Sequence, residues 1–189
     1  MRNILSKTDE ERKSKRNKAI LGILLLVIML FSVLGYAFYS VDSEEVSAGE
    51  VNYRGVDFVQ DGNGYWVFQI DKYSFSTKYN PLDTENISVP ALALQDYVNS
   101  PLYFSGGSFG IREIGANLAE FTERMQEACI DECEGNLPIK NCSKDRVIVF
   151  VEENLTYVEK QGNCTFIFSP KKEELRASDA VLFKLLGIQ

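Results

Sequence analysis

Four cysteines, Cys129, Cys133, Cys142 and Cys164, are the side chains of this sequence best suited to chemistry. Three chemistries are open to them: metal ligation, thiol–disulfide exchange and structural cross-linking. The spacing is Cys-x3-Cys, eight residues, Cys, 21 residues, Cys. A mixed zinc site would need histidine, and the chain has none. A thioredoxin-type couple needs Cys-x-x-Cys at a helix N-terminus, where the dipole lowers a thiol pKa. Cys129 and Cys133 are one residue too far apart, and the periodicity puts them at the C-terminal end of a helix, where the dipole acts the other way. Two structural disulfides are therefore expected, provided the cysteines lie in an oxidising compartment. Of the three pairings, Cys133–Cys142 with Cys129–Cys164 ranks first and Cys129–Cys142 with Cys133–Cys164 close behind. Cys129–Cys133 ranks last, because bridging i to i+4 strains a helix.

Other candidate chemistry is thinner. Without histidine, Ser-His-Asp and Cys-His catalysis are excluded. Carboxylates gather at Glu127, Asp131, Glu132 and Glu134 and at Glu152 and Glu153, but no spacing singles out a glycosidase-like pair. "FSGGSFG" (residues 104–110) joins a strand pattern to a helix pattern, and its amides could hold an anion. It lacks the lysine of a P-loop, so the expectation is a tight turn capped by Ser108 or Gly110. Tyr65, Trp66 and Phe68 share one strand and are expected to serve the core rather than an exposed aromatic patch. Four Asn-x-Ser/Thr sequons occur, at Asn86, Asn141, Asn154 and Asn163. Asn86 and Asn154 are the better glycosylation acceptors, because the other two adjoin Cys142 and Cys164. No catalytic residue, cofactor or metal site is assigned.

The elements that must position these residues begin with "AILGILLLVIMLFSVLGYAFY" (residues 19–39), which carries no charge over 21 residues. As a helix it would be roughly 31 Å long, the hydrocarbon thickness of a bilayer. Seven basic and three acidic residues precede it, and "SVDSEEVSAGE" follows with no basic residue. Positive charge stays inside, so residues 1–18 read as a basic cytoplasmic tail and the rest as extracytoplasmic. Cleavage after "GYA" (residues 35–37) is the alternative, but the apolar run exceeds an ordinary signal h-region. Of 20 Lys+Arg and 27 Asp+Glu in the chain, 13 and 24 lie beyond residue 39, a net charge of −11. Such a domain repels phosphate backbones, so nucleic acid is not an expected partner.

Residues 40–51 read as a juxtamembrane linker, and residues 52–189 as one α+β domain with a mixed β-sheet and helices mainly on one face. "DGNG" (residues 61–64) between apolar runs signals a hairpin, and Tyr73, Phe75 and Thr77 alternate as a third strand. "VPALALQDYVNS" (residues 89–100) reads as a short helix and "LYFSG" as a strand. Ile111, Ile114, Leu118, Phe121, Met125 and Ala128 step by three and four, predicting a helix from Gly110 to the cysteines. Strands at residues 146–153, 156–160 and 163–169 follow as a meander, then an amphipathic helix over residues 172–188. The strand–helix–strand order predicts parallel pairing between the strands at 102 and 146. It also predicts that the third meander strand brings Cys164 back beside Cys142.

The outer half, with a helix ending in "CIDEC", then "LPIKNCS", a "VIVF" strand, "GNC" and a terminal "DAVLFKLLGI", resembles single-pass membrane-anchored envelope proteins of archaea. The similarity covers residues 53–188. It implies an archaeal surface context and carries over no catalytic residue. The expected function is a membrane-anchored binding or structural module, with the lipid bilayer as partner through residues 19–39 and another envelope protein as a candidate partner. An envelope thiol–disulfide or carboxylate-based hydrolytic enzyme is the alternative.

Overall fold

The computed structural model describes residues 17, 18, 20–31, 49–107, 109–130 and 135–189. The chain divides into two units, Met1–Ser47 and Ala48–Gln189. In the first, α1 is helical over residues 20–31, and its large apolar side chains are exposed, Phe31 at 71 % and Met29 at 69 %. Among the described residues no helix is long and apolar enough to cross a membrane. Ala19 and residues 32–39 of the expected span, and residues 1–16 of the basic tail, lie outside the described residues.

The second unit opens with a four-stranded antiparallel sheet in simple order: β1 (Glu50–Tyr53), β2 (Val56–Gln60), β3 (Trp66–Ile70) and β4 (Tyr73–Thr77). The hairpin at residues 61–64 holds as expected. Asp61 Oδ1 accepts the amides of Asn63 and Tyr65 at 2.9 and 2.8 Å, an Asx turn that its acceptor-only carboxylate favours. β1 corrects the domain boundary, since Glu50 and Val51 belong to a strand rather than to a linker ending at residue 51. Phe58, Phe68 and Phe75 occupy equivalent inward positions and are buried, and Trp66 packs against the same cluster.

After β4 the chain forms α2 (Pro81–Thr84), with Asn80 and Asp83 in a reciprocal capping box and proline at its start. The expected helix over residues 89–100 is not formed. Pro90 disfavours helical backbone at Val89, and only a 3-10 turn, Leu94–Asp96, appears there. A five-stranded mixed sheet follows, in the order β10 (Tyr157–Gln161), β11 (Cys164–Ser169), β9 (Arg146–Glu152), β5 (Pro101–Ser105) and β6 (Arg124–Glu127). All neighbours are parallel except β10 with β11. The parallel pairing of β5 with β9 agrees with expectation. The last three strands are not a meander, because β10 pairs only with β11 at the sheet edge.

α3 (Phe109–Leu118) stops well short of the cysteines. The amides of Phe121 and Thr122 both turn back to the Leu118 carbonyl, and the chain then runs on as β6 beside β5. Met125 fits both a helical and a strand period, which is why the sequence pattern reads through the break. Beyond β6, β7 (Cys129–Ile130) and β8 (Ile139–Lys140) form a two-stranded parallel ribbon. α4 (Glu174–Leu185) closes the chain with a Schellman turn: Gly187 has φ +72°, and Ile188 N donates to Phe183 O at 2.9 Å.

α3 and α4 pack on one face of the five-stranded sheet through Ile114, Leu118, Ala177, Ala180, Val181, Leu182 and Leu185. α4 also turns Phe183 and the following Leu186 and Ile188 into the four-stranded sheet. It is therefore buried between two sheets, and burying Phe183 alone is worth about 1.5–3 kcal/mol. The free edge of β4 is closed by side chains. Asn117 Oδ1 accepts from Ser76 N at 2.9 Å, and Asn117 Nδ2 donates to Ser76 O at 2.8 Å. Lys78 N donates to Glu113 Oε1 and Tyr79 N to Asp179 Oδ2, each at 2.8 Å. Asp179 Oδ1 receives no N–H and faces Glu113 instead.

Burial, and then the charge of Glu113, holds the Asp179 carboxyl well above the ordinary range; burial raises Glu113 as well. The folded chain thus keeps a proton that the unfolded chain releases above about pH 4. The pair's stabilisation is full below that pH and is lost as pH rises toward the raised folded values. Asp179→Asn should keep the acceptor for Tyr79 and flatten the fall of stability as pH rises above about 4 in urea titrations. Asp179→Ala should cost on the order of 1–3 kcal/mol at pH 5, by leaving the Tyr79 amide unpaired.

Candidate functional site at the carboxyl ends of the parallel strands

In a sheet with parallel strands, ligands bind where adjacent connections leave in opposite directions. Here that point lies between β5 and β9. β5 leads through α3 to β6 on one side, and β9 leads through β10 to β11 on the other. A crevice of about 350 Å³ opens at the carboxyl ends of these strands, lined by Gly107, Phe150, Glu152, Ser169, Lys171 and Glu174, with Val151 between. Its size is at the small end for ligand pockets.

The glycine-rich loop forms its floor. Gly106 and Gly107 have φ of +70° and +72°, and a Cβ on Gly106 would stand 2.7 Å from Phe150 O. A Cβ on Gly110 would lie 2.3 Å from the Phe150 ring and 2.5 Å from Ser178 Oγ. The glycines therefore let the loop close onto Phe150. The Gly110 amide is not open to a foreign anion, since Gly110 N donates to the buried Glu174 Oε1 at 2.8 Å. α3 begins at Phe109, so Gly110 lies inside its first turn rather than at the cap, and Ser108 lies outside the described residues.

The carboxylates that the fold brings together are Glu113 and Asp179, which the sequence pattern does not connect. Glu113 belongs to α3 and Asp179 to α4, and only the approach of the two helices places them side by side. They serve the β4 edge and do not line the crevice. Glu152 reaches the crevice with Glu174 and Lys171, while Glu127 is exposed on β6 and Asp131, Glu132 and Glu134 lie outside the described residues. Among the described residues no cluster of three or more His, Cys, Asp or Glu side chains is placed to hold a metal.

The opposite end of the strands carries the disulfide. Cys142 is bonded to Cys164, at a Cα–Cα separation of 5.0 Å. Asn163 N donates to Cys142 O at 2.7 Å, and Gly162, with φ +60°, passes close to the same carbonyl. Cys164 is fully buried as the first residue of β11, opposite Val147 of β9. This bridge overturns both favoured pairings, Cys133–Cys142 with Cys129–Cys164 and Cys129–Cys142 with Cys133–Cys164. Cys129 is also disulfide-bonded. The strain argument that ranked Cys129–Cys133 last assumed a helix, and Cys129 instead sits in the two-residue strand β7. Cys133 itself lies outside the described residues.

All four sequon asparagines are exposed. Asn86 sits in the turn after α2, its amide oxygen held by Arg176, and Asn154 in the turn between β9 and β10. Asn141 and Asn163 flank the bridge, with Asn141 Oδ1 accepting from Ser143 N at 2.8 Å.

Three outcomes follow from the geometry. Gly110→Ala should cost about 1–3 kcal/mol in denaturant unfolding through overpacking against Phe150. Gly115→Ala in the same helix, with only the Met125 sulfur near, should be neutral or gain up to about 1 kcal/mol. Replacing Cys142 and Cys164 together by serine reopens a loop of 22 residues' separation and should cost about 3 kcal/mol, read as a drop in melting temperature. Compared with known proteins, the chain matches no family model, no curated protein and no solved structure.

Proposed function

We propose that this chain is a single-pass, membrane-anchored envelope protein, N-terminus inside, whose disulfide-closed outer unit acts as a binding or structural module. The observation that carries the reading is the Cys142–Cys164 bridge between a buried strand start and the turn before β9. Bonds of this kind persist in oxidising compartments outside the cytoplasm. The charge asymmetry around residues 19–39 supports the same orientation. The described part of that run, residues 20–31, is helical with apolar side chains exposed, as lipid contact would require. The bilayer is the anchor's partner and another envelope component the outer unit's. The likeness of the cysteine and helix pattern to archaeal envelope proteins supports an archaeal surface context.

An enzymatic reading draws less support. The described cysteines are bonded rather than free, and the paired carboxyls are engaged with backbone amides. The test is topological. In intact cells producing the full chain, external protease should remove the outer unit, and a membrane-impermeant maleimide should label its cysteines only after reduction. Protection from protease, together with labelling without reductant, would overturn the reading. Intact mass before and after deglycosylation would show whether Asn86 and Asn154 are occupied.

A further inference from the structure

On the face of the five-stranded sheet away from α3 and α4, Tyr103 of β5 lies in a row with Val147 of β9 and Cys164 of β11. As a residue it is only 3 % exposed, yet two cations converge on its side chain. Arg124, two residues before its register partner Gln126 on β6, donates from Nη2 to the phenol oxygen at 2.8 Å. Lys140 of β8 sets its ammonium 4.0 Å from the ring centroid, a close cation–π contact. The nearby Lys140 ammonium, then the Arg124 hydrogen bond, hold the phenol below its usual pKa, and the phenol in turn raises Lys140.

Gathering two cations costs Coulomb energy. The charged groups facing them are Asp145, at 3.3 Å from Lys140 Nζ, and Lys144 beside it. Asp145 is also engaged by Asn141 N at 3.0 Å. Arg124 has no carboxylate partner among the described residues, and it is exposed. The guanidinium has five N–H donors in a planar fork, and the phenol takes one of them. Among the described residues this leaves more positive than negative charge here, a fork with donors open to solvent, and a phenol O–H at its base.

We propose that Tyr103, Arg124 and Lys140 form a binding site for a carboxylate group borne by a ligand outside the cell. A planar carboxylate matches the guanidinium fork in two parallel bonds. A dianionic phosphate would meet more repulsion from the surrounding acidic domain than a monoanion does. The location rests on the envelope reading; carboxylate binding itself is measured wherever the protein resides.

The experiment uses the full chain in non-ionic detergent at constant ionic strength. The phenolate absorbance difference between the wild type and Tyr103→Phe isolates the Tyr103 titration. Sodium acetate, sodium glucuronate and inorganic phosphate are then added separately. A bound carboxylate neutralises the cations, so the Tyr103 titration should move saturably to higher pH. Arg124→Gln should weaken that response at least tenfold, and Lys140→Gln should weaken it too, with the far-ultraviolet spectrum unchanged. Equal responses to acetate and glucuronate support a site for the carboxylate alone; tighter glucuronate supports a sugar-borne source. No saturable shift with either carboxylate, a response unaffected by Arg124→Gln, or saturation by phosphate alone would each overturn the proposal.

Discussion

The free edge of β4 is the constraint on which the rest of the second unit depends. An edge strand presents unpaired amides and carbonyls, and leaving them buried would cost roughly 1–3 kcal/mol for each group. This chain closes the edge with helix side chains instead of a fifth strand. Asn117 takes both the amide and the carbonyl of Ser76, Glu113 takes the amide of Lys78, and Asp179 takes that of Tyr79. The acceptors come from both α3 and α4, so the same bonds that satisfy the edge also fix the four-stranded sheet over the helical layer. Carboxylates are strong acceptors for this purpose, but two of them in a dry place cannot both be charged. The retained proton is the consequence of using Glu113 and Asp179 as β-edge partners.

With that register set, α4 has little freedom. Its small residues, Ala177 and Ala180, let it approach the five-stranded sheet, while Phe183 on another side joins the phenylalanine cluster of the four-stranded one. The Gly187 turn then returns Ile188 to that cluster, and Gln189 Nε2 donates to Pro81 O at 2.7 Å and Thr84 Oγ1 at 2.9 Å. The C-terminal residues thereby hold α2, which follows directly from β4.

The five-stranded sheet has two unlike ends and two unlike faces. Its carboxyl ends hold a small crevice whose helix-start amide is occupied by Glu174, and its amino ends are tied by Cys142–Cys164. One face is filled by helices. The other carries Tyr103 under Arg124 and Lys140, close in register to the bridged Cys164. The covalent tie holds β9 beside β11, and β9 in turn holds Tyr103 in line, so the cation-capped phenol rests on the most constrained part of the sheet.

Local signals were enough for the elements whose determinants are local. The Asx turn at Asp61, the alternation through Phe58, Phe68 and Phe75, the continuous apolar run from Val147 to Val151 and the glycine after α4 all operate within a few residues. Net charge, the apolar run over residues 19–39 and the absence of histidine are likewise properties of the sequence itself. The tertiary structure decided what depends on distant partners. It ended α3 at Leu118, because β6 gains a parallel neighbour in β5 that a longer helix would forgo. It chose Cys142–Cys164, because β11 enters the sheet beside β9 rather than after β10. It also brought Glu113 to Asp179 and Arg124 to Tyr103 across 66 and 21 positions, separations that no periodicity in the chain encodes.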